Sequence, residues 1–128
     1  MKLVIYNFFI LILIPIFVLR IFVKSFADPD YTKLFLNRFG YNFSEPKQSN
    51  KKNIWFHAVS LGEVIGSQML INKLAEHFDI VITTSTPTGL RRAKELFSAD
   101  IAINYAPWDF VFFINRFLNF YKPDAILI

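Results

Sequence analysis

The sequence predicts an α/β protein in which an apolar transmembrane helix precedes part of a parallel-sheet domain. Three observations predict it. Residues 3–23 are interrupted only by Asn7, Pro15 and Arg20. From residue 54 onward, short runs of strand formers alternate with segments of helical periodicity, and strands separated by helices of about 12 residues make βαβ units. The runs "DIVITTS" and "DIAINY" are mostly apolar, as strands covered on both faces of a sheet are.

Bulk composition supports the first of these. Hydrophobic residues are 54% of the 128, and the mean hydropathy is +0.37, which is high for a soluble domain. The formal charge of +4 favours anionic surfaces such as phospholipid or phosphorylated substrates. No block of Lys and Arg with interleaved aromatics, of the kind that grips nucleic acid, is present. The chain has no cysteine, which excludes disulfide frameworks, thiol nucleophiles and cysteine-based zinc sites.

Residues 1–27 read as the membrane anchor. The stretch Leu3 to Val23, "LVIYNFFILILIPIFVLRIFV", matches the roughly 20 apolar residues that span a hydrocarbon core of about 30 Å. Membrane helices tolerate a proline such as Pro15, and Arg20 can snorkel to the headgroups. Arg20 and Lys24 outweigh Lys2, so the positive-inside rule places the body of the protein in the cytoplasm. A signal peptide cut after Ser25-Phe26-Ala27 is the alternative. It would need an unusually long apolar region, with Arg20 and Lys24 between that region and the cut. A buried soluble helix is a third reading.

Residues 28–53 read as a short amphipathic helix, with Tyr31, Leu34, Phe35 and Phe39 at helical spacing, and the polar stretch "YNFSEPKQSNKKN", a linker or surface loop. Residues 54–128 carry the alternation. Strand "IWFHAV" is followed by helix "EVIGSQMLINKLAEHF", which places Val64, Ile65, Met69, Leu70 and Leu74 on one face. Strand "DIVITTS" is followed by helix "TGLRRAKELFSA", strand "DIAINY" by helix "DFVFFINRFLNFY", and "PDAILI" is a fourth strand. Right-handed crossovers predict the strand order 3-2-1-4.

Ligands of open parallel sheets bind beyond the carboxyl ends of the strands. Three unusual tracts stand there: "SLGE", "TSTPTG" and "YAPWD". Each also fits a capping role. Ser60 and Glu63 match a capping box, Thr86-Pro87 matches an N-cap with proline at the first helical position, and Asp109 is placed to cap the third helix. As a cap, Glu63 folds back to its own helix start. As a base it points into the cleft, where burial raises its pKa against a helix dipole that lowers it. His57, near the end of the first strand, reads as a hydrogen-bonded core residue. His77 lies at a helix C-terminus, where a cation suits the macrodipole. No metal-ligand spacing, nucleophile elbow or P-loop is present, and the glycines of "GEVIGS" are wrongly spaced for a dinucleotide fingerprint.

The tracts "IWFHAVSLGEV", "TTSTPTG" and "YAPWD", behind an apolar N-terminus and an "RFG" segment, resemble the start of the 3-deoxy-D-manno-octulosonic acid (Kdo) transferases of lipopolysaccharide synthesis. "NRFLN" and "KPDAILI" also fit, so the resemblance covers essentially the whole chain. Leu61, Ser85 and Trp108 stand where valine, threonine and tyrosine are common, and none of these changes removes a reactive group. The family continues after "AILI" with an acidic motif and a second domain. The resemblance therefore implies an N-terminal fragment, inactive by itself.

The implied fold is the acceptor half of a B-type glycosyltransferase, built from Rossmann-like domains. The implied reaction is an inverting transfer of Kdo from CMP-Kdo to a lipid A precursor at the inner membrane, with the catalytic part facing the cytoplasm and no cofactor or metal. The glutamate of the family's "SxGE" motif is the general base, and Glu63 matches it. Ser60, Gly62, Thr86 and Thr88 are implied as acceptor-binding residues, together with Gly89, Arg91 and Tyr105. The acceptor is phosphorylated, and helix N-termini offer N–H groups to anions. Arg91 and Arg92 are either phosphate contacts or ordinary solvated charge. A non-catalytic, membrane-tethered Rossmann-like binding module is the alternative.

Overall fold

The computed structural model describes residues 2–45 and 49–128. Helix α1 spans Lys2–Ser25, with Pro15 inside it. Strand β1 is Asn53–His57, β2 Asp79–Thr84, β3 Ala102–Tyr105 and β4 Ala125–Leu127. Helices α2 (Leu61–Gly66) and α3 (Gln68–Ala75) connect β1 to β2, α4 (Pro87–Leu96) connects β2 to β3, and α5 (Val111–Tyr121) connects β3 to β4. All pairings are parallel, in the expected order β3-β2-β1-β4.

Alternation along each strand sorts the core into two layers. Ile54 and Phe56 of β1, Ile80 and Ile82 of β2, and Ile103 of β3 pack on one face with Val64, Ile71, Leu90 and Ala93 of the helices. Trp55, Val81 and Ala102 face the other way and meet Phe117 and Tyr121 of α5. Covering on both faces explains why the central strands read as nearly unbroken apolar runs.

The structure corrects two local expectations and adds a contact to a third. The single helix expected after β1 is divided at Ser67, whose hydroxyl donates to the carbonyls of Glu63 (2.7 Å) and Val64 (3.2 Å). Such side-chain bonding competes with the helical ladder. Residues 28–39 form no α-helix. They make two 3₁₀ turns, Pro29–Tyr31 and Phe35–Phe39, parted by Leu34 in the left-handed region (φ 51°) and closed by Gly40 (φ 79°). The buried Asn37 bends this segment over the end of β3: its amide donates to the carbonyls of Tyr41 and Asn42 and its oxygen accepts the Tyr105 N–H. The expected linker is tied down at Ser44, whose N–H donates to the Asn104 side chain at 2.8 Å. Asn104 in turn donates to the Tyr121 hydroxyl. Linker residues 46–48 lie outside the described residues.

Helix α1 exposes most of its apolar surface, including Leu3, Val4, Phe8, Phe9, Leu11 and Ile12, and Ile21 is its buried residue. It is long and apolar enough to cross a membrane. Phe17 meets Trp108 with ring centroids 5.8 Å apart, and the Tyr6 hydroxyl donates to Asp109.

Candidate functional site

The carboxyl ends of β1 and β2 open onto the starts of α2 and α4, and these two helices pack together. Ser60 has the extended backbone of an N-cap (φ −126°, ψ 168°), yet its hydroxyl caps no backbone N–H. It lies 3.5 Å from Glu63 Oε1. Glu63 Oε2 accepts the N–H of Val59 at 2.6 Å. Glu63 thus folds back toward its own helix start, as in a capping box, but reaches one residue beyond the N-cap and without the reciprocal serine bond. The side chain is exposed, so the geometry is the folded-back one expected of a cap, and the burial expected of a base in the cleft is not seen.

His57 stands behind Glu63 at the end of β1. Its Nδ1 is 2.9 Å from the Thr83 hydroxyl, which also accepts the Trp55 indole N–H at 2.8 Å. Burial holds the imidazole below its ordinary pKa, opposed by hydrogen bonding to Thr83 and by the Glu63 carboxylate. A neutral, half-buried histidine on a buried threonine is the core residue expected from its place in the strand.

Thr86 caps α4: its hydroxyl accepts the Gly89 N–H at 3.1 Å, with Pro87 in the first turn. Thr88 is exposed, and its hydroxyl approaches that of Thr86. Gly89 is buried where a Cβ would collide with the Thr84 hydroxyl and lie 3.5 Å from the Leu61 backbone nitrogen. The missing side chain lets the start of α4 seat against the start of α2. Ser60, Gly62, Glu63, Thr86, Thr88 and Gly89 are thereby brought to one rim.

Arg91 and Tyr105 are committed elsewhere. Arg91 pairs with Asp28 at 3.2 Å and with Asp30. Tyr105 is fully buried and donates its hydroxyl to the Asp30 carbonyl at 3.0 Å, and burial pushes its pKa up to about 12. Both residues clamp the segment around residues 28–30 to the sheet. Arg92 pairs with Glu95 one turn along α4. Asp109 does not cap α5; the N-cap position is Phe110, without a side-chain bond. Among the described residues no cluster of His, Cys, Asp or Glu could hold a metal ion.

One residue near this rim was not singled out from the sequence. Arg38, in the "RFG" segment, is 6% exposed. Its guanidinium lies 4.1 Å from the Tyr105 ring centroid and donates to the Ser85 carbonyl at 3.2 Å. The available signal was an arginine inside the apolar run "LFLNRFG" just before a left-handed glycine.

Residues 34–128 match the family model described as 3-Deoxy-D-manno-octulosonic-acid transferase (kdotransferase). The chain is 32% identical over 126 residues to the 3-deoxy-D-manno-octulosonic acid transferase of Haemophilus influenzae, covering 96% of this chain and 29% of that protein. It is 27% identical over 122 residues to the enzyme of the same name from Rickettsia bellii, covering 93% and 29%. To the one from Chlamydia trachomatis it is 30% identical over 112 residues, covering 84% and 26%. The chain spans less than a third of the length of these curated relatives. No solved structure matches.

Proposed function

Because this chain belongs to the 3-deoxy-D-manno-octulosonic acid transferase family, we propose that it forms the acceptor side of an inverting glycosyltransferase moving Kdo from CMP-Kdo to a lipid A precursor. The observation that carries this reading is Glu63: an exposed carboxylate at the carboxyl end of β1, held by the Val59 N–H and inside the segment that the family model covers.

In the proposed reaction a hydroxyl of the acceptor attacks the anomeric carbon of Kdo from the face opposite the leaving group. Cytidine monophosphate departs with the bonding electron pair, and Glu63 takes the hydroxyl proton as the new bond forms. Such a transfer to an alcohol needs a base within hydrogen-bond reach of that proton. The Val59 N–H fixes the direction of the carboxylate through Oε2, leaving Oε1 to accept the proton. Ser60, Gly62, Thr86 and Thr88 line the same rim as acceptor contacts, Gly89 sets its shape, and Arg91 and Tyr105 support it through the segment around residues 28–30. Helix α1 holds the rim at the cytoplasmic face of the inner membrane, where a lipid acceptor lies.

The test is to incubate the full-length protein, in detergent, with CMP-Kdo and a lipid A precursor and look for glycosylated lipid by mass spectrometry. The mass gain of one Kdo unit supports the reading. Its absence from protein that binds CMP-Kdo favours a membrane-tethered binding module.

A further inference from the structure

His57 is engaged at one edge of its ring only. It is the last residue of β1 and stands in register with Thr83 of β2. Its Nδ1 lies 2.9 Å from the Thr83 hydroxyl, which also receives the Trp55 indole N–H at 2.8 Å. Trp55 and Thr83 are buried and His57 is half-buried. Among the described residues nothing bonds to Nε2, yet the one buried side-chain polar atom without a partner is Arg38 Nε. The outer edge of the imidazole is therefore open to solvent where β1 ends, and Glu63 is close enough for its charge to be felt there.

Hydrogen-bond counting assigns the tautomer. An indole N–H can only donate, so it occupies a lone pair of Thr83 Oγ1. The buried hydroxyl still has one proton to place, and buried polar groups are nearly always satisfied. Nδ1 of His57 is the acceptor in reach. The backbone carbonyl of Thr83 already takes the Ala58 N–H at 2.9 Å, which leaves the hydroxyl as the partner of the ring. Nδ1 thus accepts, and the ring proton sits on Nε2. Burial favours the neutral imidazole. The result is a neutral N–H donor at the open end of β1. An asparagine could hold Thr83 equally well, and what the imidazole adds is this second edge.

We propose that His57 is a substrate-binding residue whose Nε2–H donates to the carboxylate of the sugar being transferred. This rests on the transferase reading above and names a contact within it. Kdo is an ulosonic acid, so a carboxylate is bonded directly to the anomeric carbon that the acceptor attacks. Glu63, the proposed base, serves the same carbon. Two carboxylates in one cleft repel, and the sugar needs a donor to hold its anion in place. A cation would do so, but a cation beside a carboxylate base weakens the base. A neutral N–H binds the anion without that loss. His57 lies two residues before Val59, whose N–H holds Glu63. Two residues span at most about 7 Å, a distance that one sugar residue bridges.

Two measurements test it. The first needs no substrate. The chain, isotopically labelled at its histidine nitrogens and held in detergent micelles above neutral pH, is measured by long-range proton–nitrogen correlation, with His77→Gln identifying the His57 signals. A protonated Nε2 and a bare Nδ1 are expected, and the opposite tautomer would overturn the proposal. The second uses the full-length protein and compares its affinity for CMP-Kdo with its affinity for CMP, which lacks the sugar, by calorimetry without acceptor. An asparagine amide reproduces the Nδ1 edge of the ring, and a glutamine amide the Nε2 edge. His57→Asn should weaken CMP-Kdo binding by about tenfold or more, the scale of one hydrogen bond to a charged group, and leave CMP binding unchanged. His57→Gln should recover most of the loss. A loss shared by CMP, or undiminished CMP-Kdo binding by His57→Asn, would overturn the proposal and leave the transferase reading standing. An unaltered protein that does not bind CMP-Kdo would remove both.

Discussion

The carboxylate of Glu63 accepts the backbone N–H of Val59 at 2.6 Å. This bond separates two roles of one side chain. A glutamine can accept the same N–H, so Glu63→Gln should leave the helix start intact. It removes basicity. In the full-length enzyme the variant should show a near-unchanged unfolding midpoint and turnover lower by about 10²–10⁴-fold, the usual worth of a general base. Near-normal turnover would return Glu63 to a purely structural role at the start of α2.

His57 gives the domain a pH-dependent term. Its folded pKa lies below the ordinary value, chiefly through burial, while the unfolded chain titrates near 6.5. The unfolded state therefore binds more protons in that range, and stability rises with pH. The contribution is fully present above about pH 6.5 and is lost as the pH falls through the folded value. Thermal unfolding between pH 7.5 and 5 should show this decline, and His57→Gln should flatten it. Parallel curves for the two proteins would mean that the imidazole titrates alike in both states.

Much of this fold was legible because the governing signals are local and repeated. Ile54, Phe56, Ile80 and Ile82 alternate with residues facing α5, and such runs between helical segments leave little but a parallel sheet. The crossover rule then fixes the order of β1 to β4. What escaped was set by tertiary contact. The spacing of Tyr31, Leu34, Phe35 and Phe39 is helical, but Asn37 donates to the carbonyls of Tyr41 and Asn42 and accepts the Tyr105 N–H, and no periodicity reports such a bond. Arg91 looked available in the sequence because its partners, Asp28 and Asp30, lie more than 60 residues away. The capping reading of Thr86 depends on Gly89, three residues on, and that distance is short enough for letters alone to carry it.

Gly89 should be intolerant of any side chain. A Cβ would collide with the Thr84 hydroxyl and come within 2.9 Å of the Thr86 hydroxyl, the group that caps α4. Overpacking of this kind costs about 1–3 kcal/mol. Gly66, on exposed α2, has nothing within 4 Å of the same added atom, and Gly66→Ala should be neutral or stabilising by up to about 1 kcal/mol. Denaturant unfolding of the two alanine variants should move in opposite directions, or at least differ clearly. Equal midpoints would show that α4 and α2 can separate at no cost.

Helix α1 is long and apolar enough to cross a membrane and offers two modes of attachment to one. Arg20 and Lys24 can bind anionic headgroups, and residues 3–23 can enter the hydrocarbon. Salt distinguishes them, since at 1 M the screening length is only about 3 Å while apolar burial is not weakened. The exposed run of Leu3, Val4, Phe8, Phe9, Leu11 and Ile12 offers far more apolar surface than the two cations offer charge. The protein should therefore stay in the membrane fraction through a wash in 1 M sodium chloride and leave it in detergent. Ile12→Arg places a charge near the middle of the helix, where it costs about 2.5–3.5 kcal/mol. That variant should partition measurably into the soluble fraction. Release of the unaltered protein by salt alone would make Arg20 and Lys24 the attachment and leave the apolar run without a membrane role.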